Sequence, residues 1–100
     1  MPAKMTLDAF RKTFSAASPP AGLDPPLASL WWMGKGDWKR AHNVINEEEG
    51  RDAAWVHAHL HRVEGDLANA GYWYRRAGRE AAAGSLDAEW EEVTRAMLAR

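Results

Sequence analysis

Glycine and aspartate cut this chain into short pieces. Gly36-Asp37 and Gly65-Asp66 are two such cuts, Gly50 with Asp52 makes a third, and Gly78 closes the run. A glycine just past a helix supplies a left-handed cap, and an aspartate just before the next satisfies its orphan amides. The pattern predicts antiparallel helices joined by very short turns. No segment sustains the apolar-polar alternation of a half-buried strand. "VHAHLH", Val56 to His61, alternates only superficially, because it lies at helical length between a cap and a glycine stop. The expectation is an all-α fold of about six short helices.

Each piece carries an apolar stripe at helical spacing. Thr6 opens a helix with Leu7, Phe10, Phe14 and Ala17 on one side. "SPPAGLDPP" then breaks the chain, and Asp24-Pro25 caps and starts a short apolar helix, "PLASLWWM". Asp37 opens a helix with Trp38, Ala41, Val44 and Ile45 in its stripe; Asp52 and Asp66 open the next two. Ser85 opens the last, where Leu86, Trp90, Val93 and Met97 line up. The organisation expected is one helical domain over residues 1–100. An N-terminal helix and proline-rich linker occupy 1–24, two helix-turn-helix units 25–78, and a connector and C-terminal helix 79–100.

"GDWKRAHNVI" (Gly36 to Ile45) and "GDLANAGYWY" (Gly65 to Tyr74) share Gly-Asp, an apolar residue, and alanine four positions after the aspartate. The two copies stand 29 residues apart. With Ala70, Tyr74 and Ala77 as small, aromatic and small residues, "GDLANAGYWYRRA" resembles the turn and second helix of a tetratricopeptide-type repeat. That resemblance implies stacked antiparallel hairpins, closed at the ends by the terminal helices, whose first helices line a concave binding surface. The longer segment from Ala41 to Gly78 also resembles a family of small tryptophan-rich helical proteins from microbes. This second resemblance implies a helical domain and no particular chemistry.

Bulk properties narrow the function classes. The net charge of -1 offers no general basic surface, so a nucleic-acid partner is not expected. There is no cysteine, which excludes disulfides, thiolate catalysis and cysteine-based zinc sites. No apolar run approaches a membrane span, and the N-terminus lacks the apolar core of a signal peptide, so the expected location is cytoplasmic. Six tryptophans stand in 100 residues. Each can bury on the order of 200 Å², so they read first as filler for a small core and second as the walls of a ligand site.

"HAHLH" asks for chemistry. On a helical wheel of about 100° per residue, Val56, Leu60 and Val63 form an apolar face, and the histidines divide. His57 and His61 share a stripe with Glu64, while His59 lies with Trp55 and Arg62 on the far side. The HxxxH spacing puts the His57 and His61 imidazoles within chelating reach, with His42 or Glu64 as a third ligand to a divalent metal. Ala58 follows His57, so the glutamate of an HExxH metalloprotease is missing. The bland alternative is a pair of imidazoles packed in the hairpin interface. Trp55, His59 and Arg62 would instead sit on the concave surface implied by the repeat, an aromatic platform with a fixed cation suited to a carboxylate or phosphate. Tyr72 and Arg76, with Asn69, make a further stripe that could stack on a ligand or only pack. The run Glu47 to Glu49 reads as a solvated corner.

No arrangement supports a nucleophile or acid-base pair, so no catalytic residue is expected and enzymatic activity has no positive sign. Two functions remain. One is an interaction module that recognises a protein segment or small acidic ligand through Trp55, His59, Arg62, Tyr72 and Arg76. The other is a metal-binding protein, conceivably a hydrolase, built on His57, His61, His42 and Glu64. A homodimer through the Leu86 to Met97 stripe is also expected.

Overall fold

The computed structural model describes residues 5–100. Six α-helices follow one another without a strand among the described residues: α1 (Leu7–Lys12), α2 (Pro25–Gly34), α3 (Trp38–Ile45), α4 (Arg51–Glu64), α5 (Leu67–Ala77) and α6 (Leu86–Leu98). A single 3-10 turn, Thr13–Ser15, ends α1. Caps set most of these boundaries. Thr6, Asp24, Asp37, Asp66 and Ser85 each accept a hydrogen bond from the amide three residues on.

The two Gly-Asp turns are copies in geometry as well as in sequence. Gly36 and Gly65 have φ of 79° and 86°, a region that L side chains rarely enter. Asp37 and Asp66 follow at φ, ψ of -105°, 80° and -90°, 79°. Each turn is followed by a buried alanine, Ala41 or Ala70, where the helix packs closely against its neighbour. The products are two hairpins, α2–α3 and α4–α5.

The hairpins and terminal helices assemble around α4. It packs against α2, α3, α5 and α6, and α1 closes over α6. Nine consecutive residues of α4, Ala53 to His61, are buried. The aromatic filler lies mostly on the α1–α2–α6 side, where Phe10, Phe14, Trp31 and Trp90 meet edge to face or tilted with centroids 5.7–6.2 Å apart. Buried indoles also need an acceptor. Trp31 donates to Thr13 Oγ1 (2.9 Å), Trp90 to the Leu30 carbonyl (2.9 Å) and Trp38 to the Leu60 carbonyl (2.7 Å).

The C-terminal stripe has a different use from the one expected. Trp90, Val93 and Met97 are buried within the chain, against α2 and α4, and only Leu86 stays open at 41%. The apolar face expected to form a dimer is therefore consumed by the chain's own core. No described helix is long and apolar enough to cross a membrane.

Because Asp66 caps α5 through its side chain, Asp66→Ala is expected to lower stability by about 1 kcal/mol, and Asp66→Asn by much less. Urea denaturation of the two variants against the parent measures both.

Candidate metal centre

The histidine row divides between two sides of α4. His57 and His61, one turn apart, face α3 and α5. There they meet His42, which α3 presents one position past the buried Ala41. Ring centroids are 4.8 Å apart for His57 and His61, 5.1 Å for His42 and His57, and 5.5 Å for His42 and His61. One nitrogen from each of the three rings falls within 4.8 Å of the others.

Two tryptophans bracket this trio. Trp38, one turn before His42, stacks on it at 4.8 Å and 8°. Trp73 of α5 stacks on His57 at 3.9 Å and 11°. These flat contacts hold two of the three imidazole planes. The third is held by hydrogen bonding: His61 Nδ1 and Glu64 Oε1 are 2.5 Å apart. With Nδ1 so engaged, Nε2 is the unused nitrogen of His61. Glu64 therefore stands behind His61 and not beside His42 and His57, a position in which carboxylates orient metal-binding imidazoles. A second, more exposed set, His61, Glu64 and Asp66, adjoins the first.

The electrostatics favour the neutral form of two of the rings, His57 and His42. Burial, then the neighbouring His61 and His42, lower the pKa of His57 from 6.5 to about 4. Burial and His61 likewise lower that of His42, against an opposing pull from Glu64. His57 Nδ1 is sealed from solvent and has no hydrogen-bond partner. Buried polar atoms are rarely left so. The arrangement thus offers one nitrogen from each of three rings to an electron-pair acceptor, and one of these rings carries the buried orphan.

The other half of the row is structural. His59 points to α6, where its Nδ1 lies 2.7 Å from Glu89 Oε1. Arg62 reaches the same oxygen at 3.2 Å, and the Tyr74 hydroxyl donates to Oε2. Burial by itself would raise the Glu89 pKa, but hydrogen bonds from His59, Tyr74 and Arg62 outweigh it and hold the carboxyl below its usual range. Arg62 also donates to the Gly84 and Ser85 carbonyls, pinning the connector before α6. The Arg79 guanidinium covers Trp55 at 3.4 Å from the ring centroid.

Trp55, His59 and Arg62 therefore do not form one open stripe. Trp55 is 5% and His59 1% exposed, and Arg62 is tied to Glu89, because α6 and its connector return across this side of α4. Tyr72 and Arg76 do stay exposed, but they pair with each other (2.9 Å) on the outer face of α5. No described hydrogen bond or ring contact joins them to Trp55, His59 or Arg62.

Sequence reasoning did not single out Glu89. Its position was the available signal: three residues after Leu86 and four before Val93, it falls on the apolar stripe of α6. Trp73, the plate under His57, was not singled out either.

Comparisons with known proteins identify no relative. No protein-family model, no curated protein and no solved structure matches this chain.

Two outcomes follow from these environments. The unfolded chain protonates His57 near pH 6.5 and the folded chain only near 4. Stability from this group is therefore complete above about pH 6.5 and falls as the pH drops towards 4, by about 3 kcal/mol. Urea melts across this range, in chelator, should show His57→Phe losing less stability than the parent. Removing Glu89 leaves Arg62 and Tyr74 without a buried acceptor. Glu89→Ala is expected to cost about 3–5 kcal/mol by the same measurement.

Proposed function

We propose that this protein binds a divalent transition-metal ion through His42, His57 and His61, with Glu64 orienting His61. The observation that carries the reading is the meeting of one nitrogen from each of three imidazoles within 4.8 Å, one of these rings being that of His57, whose Nδ1 is sealed and unpartnered. Packing alone accounts for the stacked rings, but it leaves that nitrogen without a partner.

The donor chemistry selects the class of ion. Three imidazoles suit zinc, copper, nickel or cobalt, whereas magnesium and calcium require oxygen ligands. Tetrahedral bonds of about 2.0–2.1 Å place neighbouring donors about 3.4 Å apart. Closing the present set onto an ion therefore takes a contraction of about 1.4 Å or less, within reach of side-chain rotation. His42 is partly exposed and provides the way in.

A three-nitrogen set leaves a coordination position free. That position would take water, or the carboxylate of a small acidic ligand, which is where recognition of such ligands belongs once the Trp55 stripe is covered. A bound water there would be acidified enough to serve hydrolysis.

The test uses protein purified without a histidine tag and stripped with chelator. Titration with Zn²⁺, Ni²⁺ and Co²⁺ by calorimetry, with tryptophan quenching by Ni²⁺ and Co²⁺ as a second readout, should give one site per chain. His57→Gln and His42→Gln should each abolish it, and Glu64→Gln should weaken it 10- to 100-fold. A stoichiometry unchanged in His57→Gln, or no binding at 100 μM metal (on the order of 5 kcal/mol), would refute the proposal.

A further inference from the structure

On the side of α4 away from the three-histidine cluster, a cleft of about 620 Å³ opens between the end of α2 and the start of α6. Its size falls within the range of small-molecule sites. Phe14, Met33, Trp38 and Trp90 contribute apolar wall, and His59 lines it as well. Both indole N–H groups are already committed to backbone carbonyls, Trp38 to Leu60 and Trp90 to Leu30. The tryptophans therefore offer the cleft their carbon surfaces and no donor.

His59 is the buried polar residue of the lining. Its Nδ1 lies 2.7 Å from Glu89 Oε1, an oxygen that Arg62 also reaches, so that nitrogen is committed to the network. Nε2 makes no hydrogen bond in the protein, and it is not among the atoms sealed from solvent. With His59 only 1% exposed, the contact with the exterior is confined to this opening. The network of Glu89, Tyr74 and Arg62 thus holds an imidazole with an unbonded Nε2 beside an aromatic-walled space.

The charges around the mouth disfavour an anionic guest. Arg11 is bound to Glu91 at 2.7 Å and lies 5.4 Å from the Trp90 ring centroid, and Asp87 stands unopposed beside them. One cation against two carboxylates repels a carboxylate or phosphate. The geometry points to a binding site for a neutral, flat aromatic molecule that carries one hydrogen-bond donor, a hydroxyl or a ring N–H, directed at His59 Nε2.

Such a guest fills the aromatic walls by stacking and gives Nε2 its missing partner. Capping the donor with a methyl group removes that bond and places a carbon against Nε2. One hydrogen bond of ordinary net worth corresponds to about a fivefold change in affinity.

The experiment titrates five probes into 15N-labelled full-length protein at pH 8. They are 2-naphthol and indole as O–H and N–H donors, 2-methoxynaphthalene and 1-methylindole as their capped forms, and 2-naphthoate as the anion. Imidazole 15N resonances assign the contact. At least one donor probe is expected to shift His59 Nε2 and to bind about fivefold or more tightly than its capped form, with naphthoate weakest. Which donor wins separates hydroxylated from N–H guests. Leu86→Trp, at an exposed position on the cleft, should block binding without lowering the melting temperature. The assignment is overturned by equal affinity of donor and capped probes, by naphthoate binding best, by binding unaffected in Leu86→Trp, or by no shift of His59 up to the solubility of the probes.

Discussion

The structure depends on burying a helix that is not apolar. α4 is surrounded by α2, α3, α5 and α6, yet three of its nine consecutive buried residues are histidines. A buried imidazole has two nitrogens to satisfy, and desolvation penalises its charged form. The neighbouring helices are arranged to meet that demand. α6 brings Glu89 to His59, α5 brings Trp73 to His57, α3 brings His42 and Trp38, and the helix's own last turn brings Glu64 to His61. Among the described imidazole nitrogens sealed from solvent, His57 Nδ1 is left without a partner.

The two faces of α4 solve the problem differently, and the difference separates their roles. On the α6 side the imidazole is one member of a network with Glu89, Arg62 and Tyr74, which also fastens the 79–85 connector. On the α3–α5 side no carboxylate enters among the rings, and the three imidazoles face one another held by stacking. A network closed on itself stabilises the fold. A cluster of like donors with an unpartnered member is suited to holding an ion. Trp38 connects the two sides, since it stacks on His42 and also lines the cleft beside His59.

The all-helical class and the main helix boundaries could be read from the chain because they are local. A glycine at positive φ, or an aspartate that caps the amide three residues on, acts within one turn. The division of His57 and His61 from His59 was legible for the same reason, as it follows from helical rotation alone. The covering of the Trp55 side was not. Trp55, His59 and Arg62 form a polar-aromatic stripe whichever way they face, and nothing local tells an open stripe from one covered by a helix thirty residues later. The use of the α6 stripe was not legible on the same ground, since a clean apolar stripe looks alike whether its partner is another chain or α2 and α4.

By itself, then, the sequence determined the helices and most of their caps, which residues share a face, and that His57 and His61 could act together. However, α4 starts after Gly50 and not at an Asp52 cap, and α1 stops at Lys12, short of Phe14 and Ala17. Capping, backbone freedom and helical periodicity are short-range, and they need no knowledge of neighbours. The tertiary structure alone decided that α6 returns across α4, that Glu89 sits buried against His59, and that His42 closes the trio. Those outcomes rest on contacts between residues fifteen to thirty positions apart. Their sign depends on burial, which turns a charged stripe into a sealed network and a pair of packed imidazoles into a three-nitrogen site.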